Sequence, residues 1–282
     1  MPVITSQHNP RLKELRKLAR RRERERSGCF LAEGEDLIAA AMAAGRPAIA
    51  GYRAAGSAIG GAGFEDVEPS VMSSLSALGS GTRAIGVYEQ RFTRPAGPLC
   101  VYLHGVADPG NVGAVLRSAL AFGASCVALG PGCADPHSPK AVRASMGAIF
   151  SVGLARVGGV GELPGTRVAL VAGAGDPIWS IRGGSGEVQK EIAAAAPLVP
   201  PREGPLSPER GARAEGTMSG KPQATALTLL VGAEREGLPD DVVEACERVA
   251  HIPIASESLN AAMAATVALY EMTRPSTRVP AS

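Results

Sequence analysis

Apolar and polar residues alternate in blocks along this chain, and the blocks predict an α/β fold. Apolar runs of strand length are found at 99–105, 125–130, 168–173 and 227–232. Helix-like segments are found at 112–123, 138–149, 239–246 and 259–272. Strands that alternate with helices usually form parallel sheets covered on both sides. The pattern therefore predicts a mainly parallel sheet with helices on both faces.

The first 90 residues show a different pattern, which predicts a small α/β domain. It begins with a basic helix, a turn at Ser27–Gly28, a strand at 29–32 and a helix ending at Gly45. It continues with a strand, a glycine-rich loop, a helix over 69–78 and a strand over 83–89. Two prolines then interrupt regular structure at 91–98. We expect a domain at 1–90, a linker at 91–98 and a second domain at 99–282.

The segment from about 183 to 225 differs in composition from the rest of the second domain. It is rich in Gly, Pro, Ser, Ala and charged residues and has almost no large apolar side chains. Such a segment cannot bury enough surface to offset its ordering entropy. We expect a flexible insertion there.

Charge is concentrated at the N-terminus. The formal net charge is +2, yet residues 1–26 hold nine Arg or Lys and three Glu, a local net of +6. Leu12, Leu15 and Leu18 are spaced for one buried helix face, with Arg11, Arg16, Arg20, Arg22 and Arg24 around the rest. This segment is typical of contact with a phosphate backbone, and a solvated helix face is the alternative. Candidate RNA-binding residues are Arg11, Lys13, Arg22 and Arg26.

Composition excludes several protein classes. There is no apolar run of about 18 residues and no signal peptide, so we expect a cytoplasmic protein that makes no membrane contact. The five cysteines include no C-x-x-C pair, and the four histidines lack metal-ligand spacing. We therefore expect neither a disulfide framework nor a metal site, and Cys100 and Cys126 read as buried thiols.

A glycine-containing loop after the 99–105 run is the first candidate ligand site. Asp108–Gly110 predicts a turn, Asn111 is placed to cap the next helix, and Gly113 permits a close approach. The glycines do not fit G-x-G-x-x-G and no acidic residue closes the next strand, so a nicotinamide-dependent oxidoreductase is a remote alternative. Arg117 projects away from the apolar face of its helix, as either a site residue or a solvent-facing arginine.

Two further stretches, 227–243 and 249–273, repeat this arrangement. In each, an apolar run leads into a polar loop and then a helix. Gly232, Gly237 and Pro239 shape the first loop, and Ser258 and Asn260 precede the last helix. Three such loops in one sheet predict a common ligand crevice at the strand ends.

Together the three stretches resemble the motifs of SpoU-type RNA ribose 2′-O-methyltransferases of the SPOUT superfamily. The first motif is matched by Asn111, Gly113, Arg117, Ala119 and Phe122–Gly123. The second is matched by Gly232, Glu234, Gly237 and Leu238, and the third by Ile252–Pro253, Ser258–Asn260 and Tyr270–Glu271. The N-terminal "NPRLK" and "CFLAEGEDLI" resemble the L30e-like RNA-binding domain of many members. The chain departs from the common pattern at Ala233, Arg235 and Ala262.

The resemblance implies a fold, a cofactor and a partner. It implies a deep C-terminal trefoil knot, a homodimer with an active site completed across the interface, and a bound S-adenosylmethionine. The cofactor would be held by backbone groups around Gly232, Ile252 and Leu259, with Ala172 and Gly173 as further candidates. The implied catalytic residues are Arg117, Asn111, Glu234, Ser258 and Asn260.

The roles of two arginines stay open at this point. Arg117 could activate the ribose hydroxyl as a base, but the high pKa of arginine favours a grip on the adjacent phosphate. Arg143 is a second candidate for a substrate phosphate, and a helix-surface ion pair is its alternative.

We therefore expect S-adenosylmethionine-dependent 2′-O-methylation of structured RNA, with ribosomal RNA (23S) favoured. A tRNA 2′-O-methyltransferase is one alternative. A non-catalytic RNA-binding protein on a degenerate methyltransferase scaffold is another. A resistance enzyme acting on the ribosome would be a subset of the first expectation.

Overall fold

The computed structural model describes residues 3–76, 81–181, 226–256 and 258–274. The insertion predicted at 183–225 lies outside the described residues. The remaining segments form two sheets, one in each part of the chain.

The N-terminal part is a four-stranded sheet with flanking helices. Its elements are α1 (Pro10–Lys17), α2 (Arg21–Ser27), β1 (Cys29–Glu33), α3 (Glu35–Ala43), β2 (Ala50–Ala54), β3 (Phe64–Val67), α4 (Pro69–Ser73) and β4 (Ala84–Glu89). The strand order is β1-β4-β2-β3, in which only β2 and β3 run parallel. Leu12 and Leu15 of α1 are buried against this sheet, as their spacing predicts.

The basic segment at the N-terminus forms two helices instead of one. Asn9 caps α1, since its side chain accepts a hydrogen bond from the Arg11 amide at 2.9 Å. The first helix ends at Lys17, and α2 ends at Ser27 and is capped by Gly28, whose φ of 66° favours glycine. The break turns Arg24 inward, and only 3% of its surface stays exposed. The expectation that Arg24 offers its guanidinium to solvent is therefore wrong.

The C-terminal part contains a seven-stranded sheet. Its elements are β5 (Leu99–Leu103), α5 (Pro109–Ala121), β6 (Cys126–Leu129), α6 (Pro139–Ala144), β7 (Gly153–Arg156), β8 (Thr166–Leu170), β9 (Asp176–Pro177), β10 (Leu227–Val231), α7 (Asp240–Glu244), β11 (Arg248–His251) and α8 (Ala261–Thr273). The order is β7-β6-β5-β10-β8-β11-β9, and all neighbouring strands are parallel. The predicted mainly parallel α/β sheet is confirmed.

Both faces of the large sheet are covered. Leu99, Val101 and Leu103 of β5 pack with α5 and α8, while Cys100 and Tyr102 point to the opposite face with Val242 of α7. The chain moves outward from β5 to β6 and β7, then crosses over, and β10 lies between β5 and β8. The switch in strand order between β5 and β10 places a crevice at their carboxyl ends.

Several predicted boundaries need correction. The helix predicted over 138–149 ends at Ala144, because Met146 and Gly147 adopt left-handed conformations with φ of 48° and 92°. The short strands β7, β9 and β11 were not predicted as strands. No helix in the described ranges has the length and apolar character needed to cross a bilayer.

One hydrophobic cluster spans the two parts. Phe30 of β1 lies 5.9 Å from Phe150, ring centre to ring centre, and Tyr88 of β4 lies 4.8 Å from the same ring. The segment predicted as a linker packs against the edge of the large sheet, where the Thr93 amide donates to the Leu154 carbonyl at 2.7 Å. These contacts hold the N-terminal sheet beside β7.

Candidate active site

A cavity of about 620 Å³ lies at the carboxyl ends of β8, β10 and β11. Its size falls within the range of small-molecule sites. Its wall is formed by the ends of these strands, the loop that follows β10 and the start of α8. The lining residues include Leu170, Ala172, Gly232, Glu234, Arg235, Gly237, Ile252, Ser258 and Leu259.

The loop after β10 owes its shape to two glycines. The Ala233 amide donates to the Gly237 carbonyl at 3.2 Å, and the Gly237 amide donates back to Ala233 at 3.0 Å. A Cβ atom at Gly232 would lie 2.1 Å from the backbone carbon of Gly237, and Gly237 itself has a φ of 69°. Only glycine fits at Gly232, so the loop folds tightly over the cavity and presents its backbone there.

Three polar side chains from three distant loops meet beside this cavity. The Asn260 Nδ2 donates to Asn111 Oδ1 at 3.1 Å and to Glu234 Oε1 at 2.9 Å. The Asn111 Nδ2 also donates to Glu234 Oε1. Glu234 is exposed, and its Oε2 makes no hydrogen bond to any described residue. We call these three residues the polar cluster.

Helix caps hold two members of the cluster in place. The Asn260 Oδ1 accepts from the amides of Ala262 and Met263 at the start of α8, at 2.9 and 3.3 Å. Asn260 is therefore the cap of the last helix. At the start of α5 the cap is Asp108, which accepts from the Gly110 and Asn111 amides, so the expectation that Asn111 is the cap is wrong.

The Asp108 cap has a cationic partner that was not predicted. Lys140 of α6 donates to its Oδ2 at 2.7 Å. This hydrogen bond, followed by those from the backbone amides, lowers the pKa of the Asp108 carboxyl. Gly113 permits close packing between α5 and α6, because a Cβ there would lie 2.3 Å from the Ala141 carbonyl oxygen. The two contacts fix the start of α5, and with it Asn111.

The predicted cofactor residues lie around the cavity with one exception. Gly232, Ile252, Leu259 and Ala172 line it, as does Ser258. Gly173 is not among the described lining residues. Arg235 and Glu236 line it as well and were not proposed for this role.

Arg117 lies outside the polar cluster of its own chain. It is exposed on α5, six residues after Asn111. At about 100° per residue these two side chains point to different sides of the helix. Among the described residues no hydrogen bond or ion pair holds the Arg117 side chain.

The predicted RNA-binding residues lie in two environments, and none lines the cavity. Arg11 pairs with Glu65, and Arg26 pairs with Glu23. Lys13 and Arg22 are exposed and make no ion pair within the described part of the chain. Arg143 is exposed on α6, with a guanidinium nitrogen against the turn at Gly34.

A buried ion pair at the junction of the two parts was not predicted. Arg24 of α2 donates to Asp135 Oδ2 from Nε at 3.0 Å and from Nη2 at 2.6 Å. Asp135 Oδ1 accepts from the His137 amide at 2.9 Å. His137 is buried, and its Nδ1 makes no hydrogen bond in the described structure. We call Arg24, Asp135 and His137 the junction cluster.

Burial dominates the ionisation of His137. It lowers the pKa of this imidazole to about 4, against the opposing effect of Asp135 and with help from Arg156, Arg24 and Arg46. The ring is therefore neutral at pH 7. It packs between aromatic neighbours, with centroid distances of 4.7 Å to Phe30 and 5.2 Å to Phe92.

Comparison with known families matches both parts of the chain. Residues 98–166 and 209–270 match the SpoU rRNA Methylase family. Residues 9–57 match the MRM3-like substrate binding domain. The first match includes all members of the polar cluster, and the second covers α1 through β2.

Individual relatives agree with these matches. The chain is 25% identical to the 23S rRNA (guanosine(2553)-2′-O)-methyltransferase RlmP of Bacillus subtilis, covering 96% of this chain and 99% of that protein. It is 32% identical to a 23S rRNA (uridine(2479)-2′-O)-methyltransferase of Streptomyces viridochromogenes, over 59% of this chain and 49% of the relative. At 31–32% identity the chain spans about half the length of its first curated relatives.

A solved structure supports the assignment over nearly the full length. The AdoMet-bound rRNA methyltransferase of Sinorhizobium meliloti superposes with a TM-score of 0.73 at 26% identity, covering 96% of this chain and 97% of that one. The chain is therefore similar to SpoU rRNA methylases both in its family match and in a solved structure.

Proposed function

We propose that this chain is an S-adenosylmethionine-dependent methyltransferase that acts on a ribose 2′-hydroxyl of ribosomal RNA. The observation that carries the proposal is the meeting of Asn111, Glu234 and Asn260 beside the cavity. The relatives named as 23S rRNA 2′-O-methyltransferases support ribosomal RNA as the substrate.

The cavity fits the proposed cofactor. Gly232 lets the loop fold back against Gly237, which any Cβ would prevent, and the folded loop offers backbone amides and carbonyls to a nucleoside. Ala172, Ile252 and Leu259 add apolar walls for an adenine, and the volume suits a ligand of that size. When bound, S-adenosylmethionine supplies an electrophilic methyl group.

The polar cluster would orient the ribose at the edge of this cavity. Its amides can bind ribose oxygens, and Glu234 Oε2 can accept a hydrogen bond from the 2′-hydroxyl. Holding the hydroxyl in line with the methyl group can supply about 7–11 kcal/mol of the barrier reduction. A positioned proton acceptor adds typically about 10²- to 10⁴-fold.

Arg117 would serve the active site of a second subunit. Its guanidinium stays protonated because the pKa of arginine exceeds about 12, so it is a poor base. A guanidinium that grips the phosphate beside the target ribose stabilises the developing alkoxide instead. Since Arg117 points away from Asn111 on its own helix, the site needs the arginine of a partner.

An apolar stripe supports a homodimer. Met263, Val267 and Tyr270 lie on one side of α8 and are 63%, 37% and 52% exposed. Positions separated by four and three residues share one helix face. Helix α5, which carries Arg117, packs beside α8 through a hydrogen bond between the Ser118 and Thr266 hydroxyls at 2.6 Å. A dimer that buries the stripe would place Arg117 near the neighbouring site.

The finer features of the fold belong to the same proposal. The position of β10 between β5 and β8 supports a C-terminal trefoil knot. The N-terminal sheet supports an L30e-like RNA-binding domain at 1–90, joined by residues 91–98 to a methyltransferase domain at 99–282. The match of residues 9–57 to a substrate-binding domain supports RNA contact by this part.

Mixed dimers test the proposed arrangement. Arg117→Ala and Glu234→Gln should each abolish methylation of ribosomal RNA while calorimetry still detects S-adenosylmethionine binding. A mixed dimer pairs an Arg117→Ala subunit with a Glu234→Gln subunit. If Arg117 acts across the interface, each such dimer keeps one complete site. Random mixing should then restore about a quarter of wild-type activity, because half of the dimers are mixed. Failure to restore activity in verified mixed dimers would contradict the shared site, and activity of Arg117→Ala alone would remove Arg117 from it.

A further inference from the structure

Three arginines gather where the N-terminal sheet meets the edge of the large sheet. Arg46 follows α3, Arg91 follows β4, and Arg156 ends β7. The Arg46 and Arg91 side chains both contact Glu89, the first at its backbone carbonyl and the second at its carboxylate. Arg156 lies against the ring of Phe92, the residue that follows Arg91. We call Arg46, Arg91 and Arg156 the arginine seam.

Nearby acidic groups do not neutralise the seam. Asp135 is buried and is occupied by Arg24. Arg91 contacts Glu89 at 3.3 Å, while Arg46 donates to the backbone carbonyl of that residue at 3.1 Å. Arg156 forms no ion pair with any described residue. Among the described residues one exposed carboxylate, that of Glu89, therefore pairs with a single member of the seam, and like charges held together favour an anionic ligand.

The guanidinium group of Arg156 stacks on an aromatic ring. Its central carbon lies 4.4 Å from the centre of the Phe92 ring. Phe92 is held in turn by His137, with a centroid distance of 5.2 Å and nearly perpendicular rings. Stacking of this kind orients the planar fork of arginine and leaves its N–H groups free for a bidentate oxyanion.

The seam lies at the same end of the large sheet as the proposed active site, the end formed by the carboxyl ends of the strands. Arg156 is paired in register with Leu129, at the carboxyl end of β6, and the loops of the polar cluster begin at the carboxyl ends of β5 and β10. With strands about 4.8 Å apart, β7 is roughly 14 Å from β10. That span corresponds to about four stacked nucleotides at 3.4 Å each.

We propose that Arg46, Arg91 and Arg156 bind the phosphate backbone of the RNA substrate between the N-terminal sheet and the active site. This inference rests on the proposed function, because it assigns the path of the same RNA. It adds contacts outside the basic N-terminal helices. Guanidinium groups bind phosphates independently of base sequence, so the seam would contribute affinity and register instead of base recognition.

Salt-dependent binding of a 23S ribosomal RNA transcript tests the seam. Each lost phosphate contact should reduce the slope of log affinity against log salt by about 0.7–0.9. Arg156→Gln should lower the slope by about that amount, and the triple variant Arg46→Gln/Arg91→Gln/Arg156→Gln by about 2–3. Arg248→Gln is the matched control, since this half-buried arginine begins β11, far from β7 in the strand order, and pairs with Asp176. Its slope should equal that of the wild type.

Two additional measurements separate the possible outcomes. Arg156→Lys keeps the charge and should retain most of the slope, which distinguishes lost charge from lost packing on Phe92. Calorimetric titration with S-adenosylmethionine should be unchanged in every variant. A triple variant with wild-type slope, intact cofactor binding and an unchanged melting temperature would overturn the seam. Absence of methyl transfer in the wild type, with the slope differences still present, would overturn the proposed function and leave the seam supported.

Discussion

Two polar clusters in this molecule join segments distant in the sequence, and they differ in exposure. The junction cluster is buried, and both oxygens of Asp135 are occupied, by Arg24 and by the His137 amide. In the polar cluster Glu234 and Asn260 are exposed, and Glu234 offers a free oxygen beside a cavity. A buried ion pair whose carboxylate oxygens are both occupied can fix structure but offers no free oxygen to a ligand, whereas an exposed and partly satisfied carboxylate does offer one. The two clusters should therefore respond to mutation in opposite ways.

The largest expected effect follows from breaking the junction cluster. Arg24→Met should lower the free energy of unfolding by about 3–5 kcal/mol, because it leaves Asp135 buried without its counter-charge. Urea unfolding followed by circular dichroism measures this loss. Arg22→Met, an exposed neighbour on α2, should change it by less than about 0.5 kcal/mol.

A double substitution sharpens this test. Arg24→Met/Asp135→Leu removes both charges and should recover most of the stability lost in Arg24→Met, because no uncompensated charge stays buried. An unfolding free energy for Arg24→Met within about 1 kcal/mol of the wild type would show that the pair is solvated.

The polar cluster should show the opposite response. Glu234→Gln keeps the shape of the side chain but removes its charge, so methyl transfer should fall about 10²-fold or more. The unfolding free energy should stay within about 0.5 kcal/mol, since the group is exposed. Single-turnover methylation of ribosomal RNA and urea unfolding measure the two quantities. Glu244→Gln on α7 is the control and should change neither the methylation rate nor the unfolding free energy. If the unfolding free energy of Glu234→Gln fell by as much as its activation free energy rose, the contrast between the two clusters would be contradicted.

An intermediate effect is expected from pH. The folded pKa of His137 is lowered to about 4 from an ordinary value of 6.5, so the unfolded chain takes up the proton first as the pH falls. Stability should therefore decline from pH 6.5 towards pH 4, by about 2 kcal/mol at pH 5 from this group. The groups facing His137 are Asp135, Arg24, Arg46 and Arg156.

Replacement of His137 by phenylalanine isolates this contribution. His137→Phe removes the titration and a buried nitrogen without a partner, in a setting already aromatic. Between pH 7 and 5 the variant should lose about 2 kcal/mol less stability than the wild type. Parallel pH profiles of the two proteins would show that His137 is protonated at its ordinary pKa.

The smallest effect is expected at the exposed pair between Lys140 and Asp108. Lys140→Met should cost no more than about 1 kcal/mol, as exposed ion pairs usually do. Asp108→Ala should cost about 1 kcal/mol more, because it also removes the cap of α5. Thermal melting distinguishes the two, and an equal cost for both variants would mean that the cap contributes nothing.

The sequence predicted the polar loops of the site better than the short strands and turns elsewhere in the sheet domain. Asn111 and Glu234 follow apolar runs long enough to be recognised as strands, and parallel strands bring their carboxyl ends to one end of the sheet. The short strands β7, β9 and β11 each include a charged residue, so they do not stand out as apolar runs. The left-handed conformation at Met146 depends on packing that no local pattern reveals.

The buried arginine illustrates a different limit. In the sequence, Arg24 stands in a basic helix at a position typical of an exposed arginine. Its partner, Asp135, lies 111 positions further along the chain. Pattern analysis assigns faces within one helix, and it does not show which polar residue of a distant loop will meet that face. The break between α1 and α2 at Leu18–Arg20 changes the face that Arg24 presents.

Methyl transfer to ribosomal RNA tests the central claim most directly. Isotopically labelled S-adenosylmethionine, purified protein and ribosomal RNA would be incubated, and the product digested and mapped by mass spectrometry. We expect label on a ribose 2′-oxygen in wild-type reactions and its loss in Glu234→Gln. Label on a base, or no label from protein that binds both cofactor and RNA, would contradict the account.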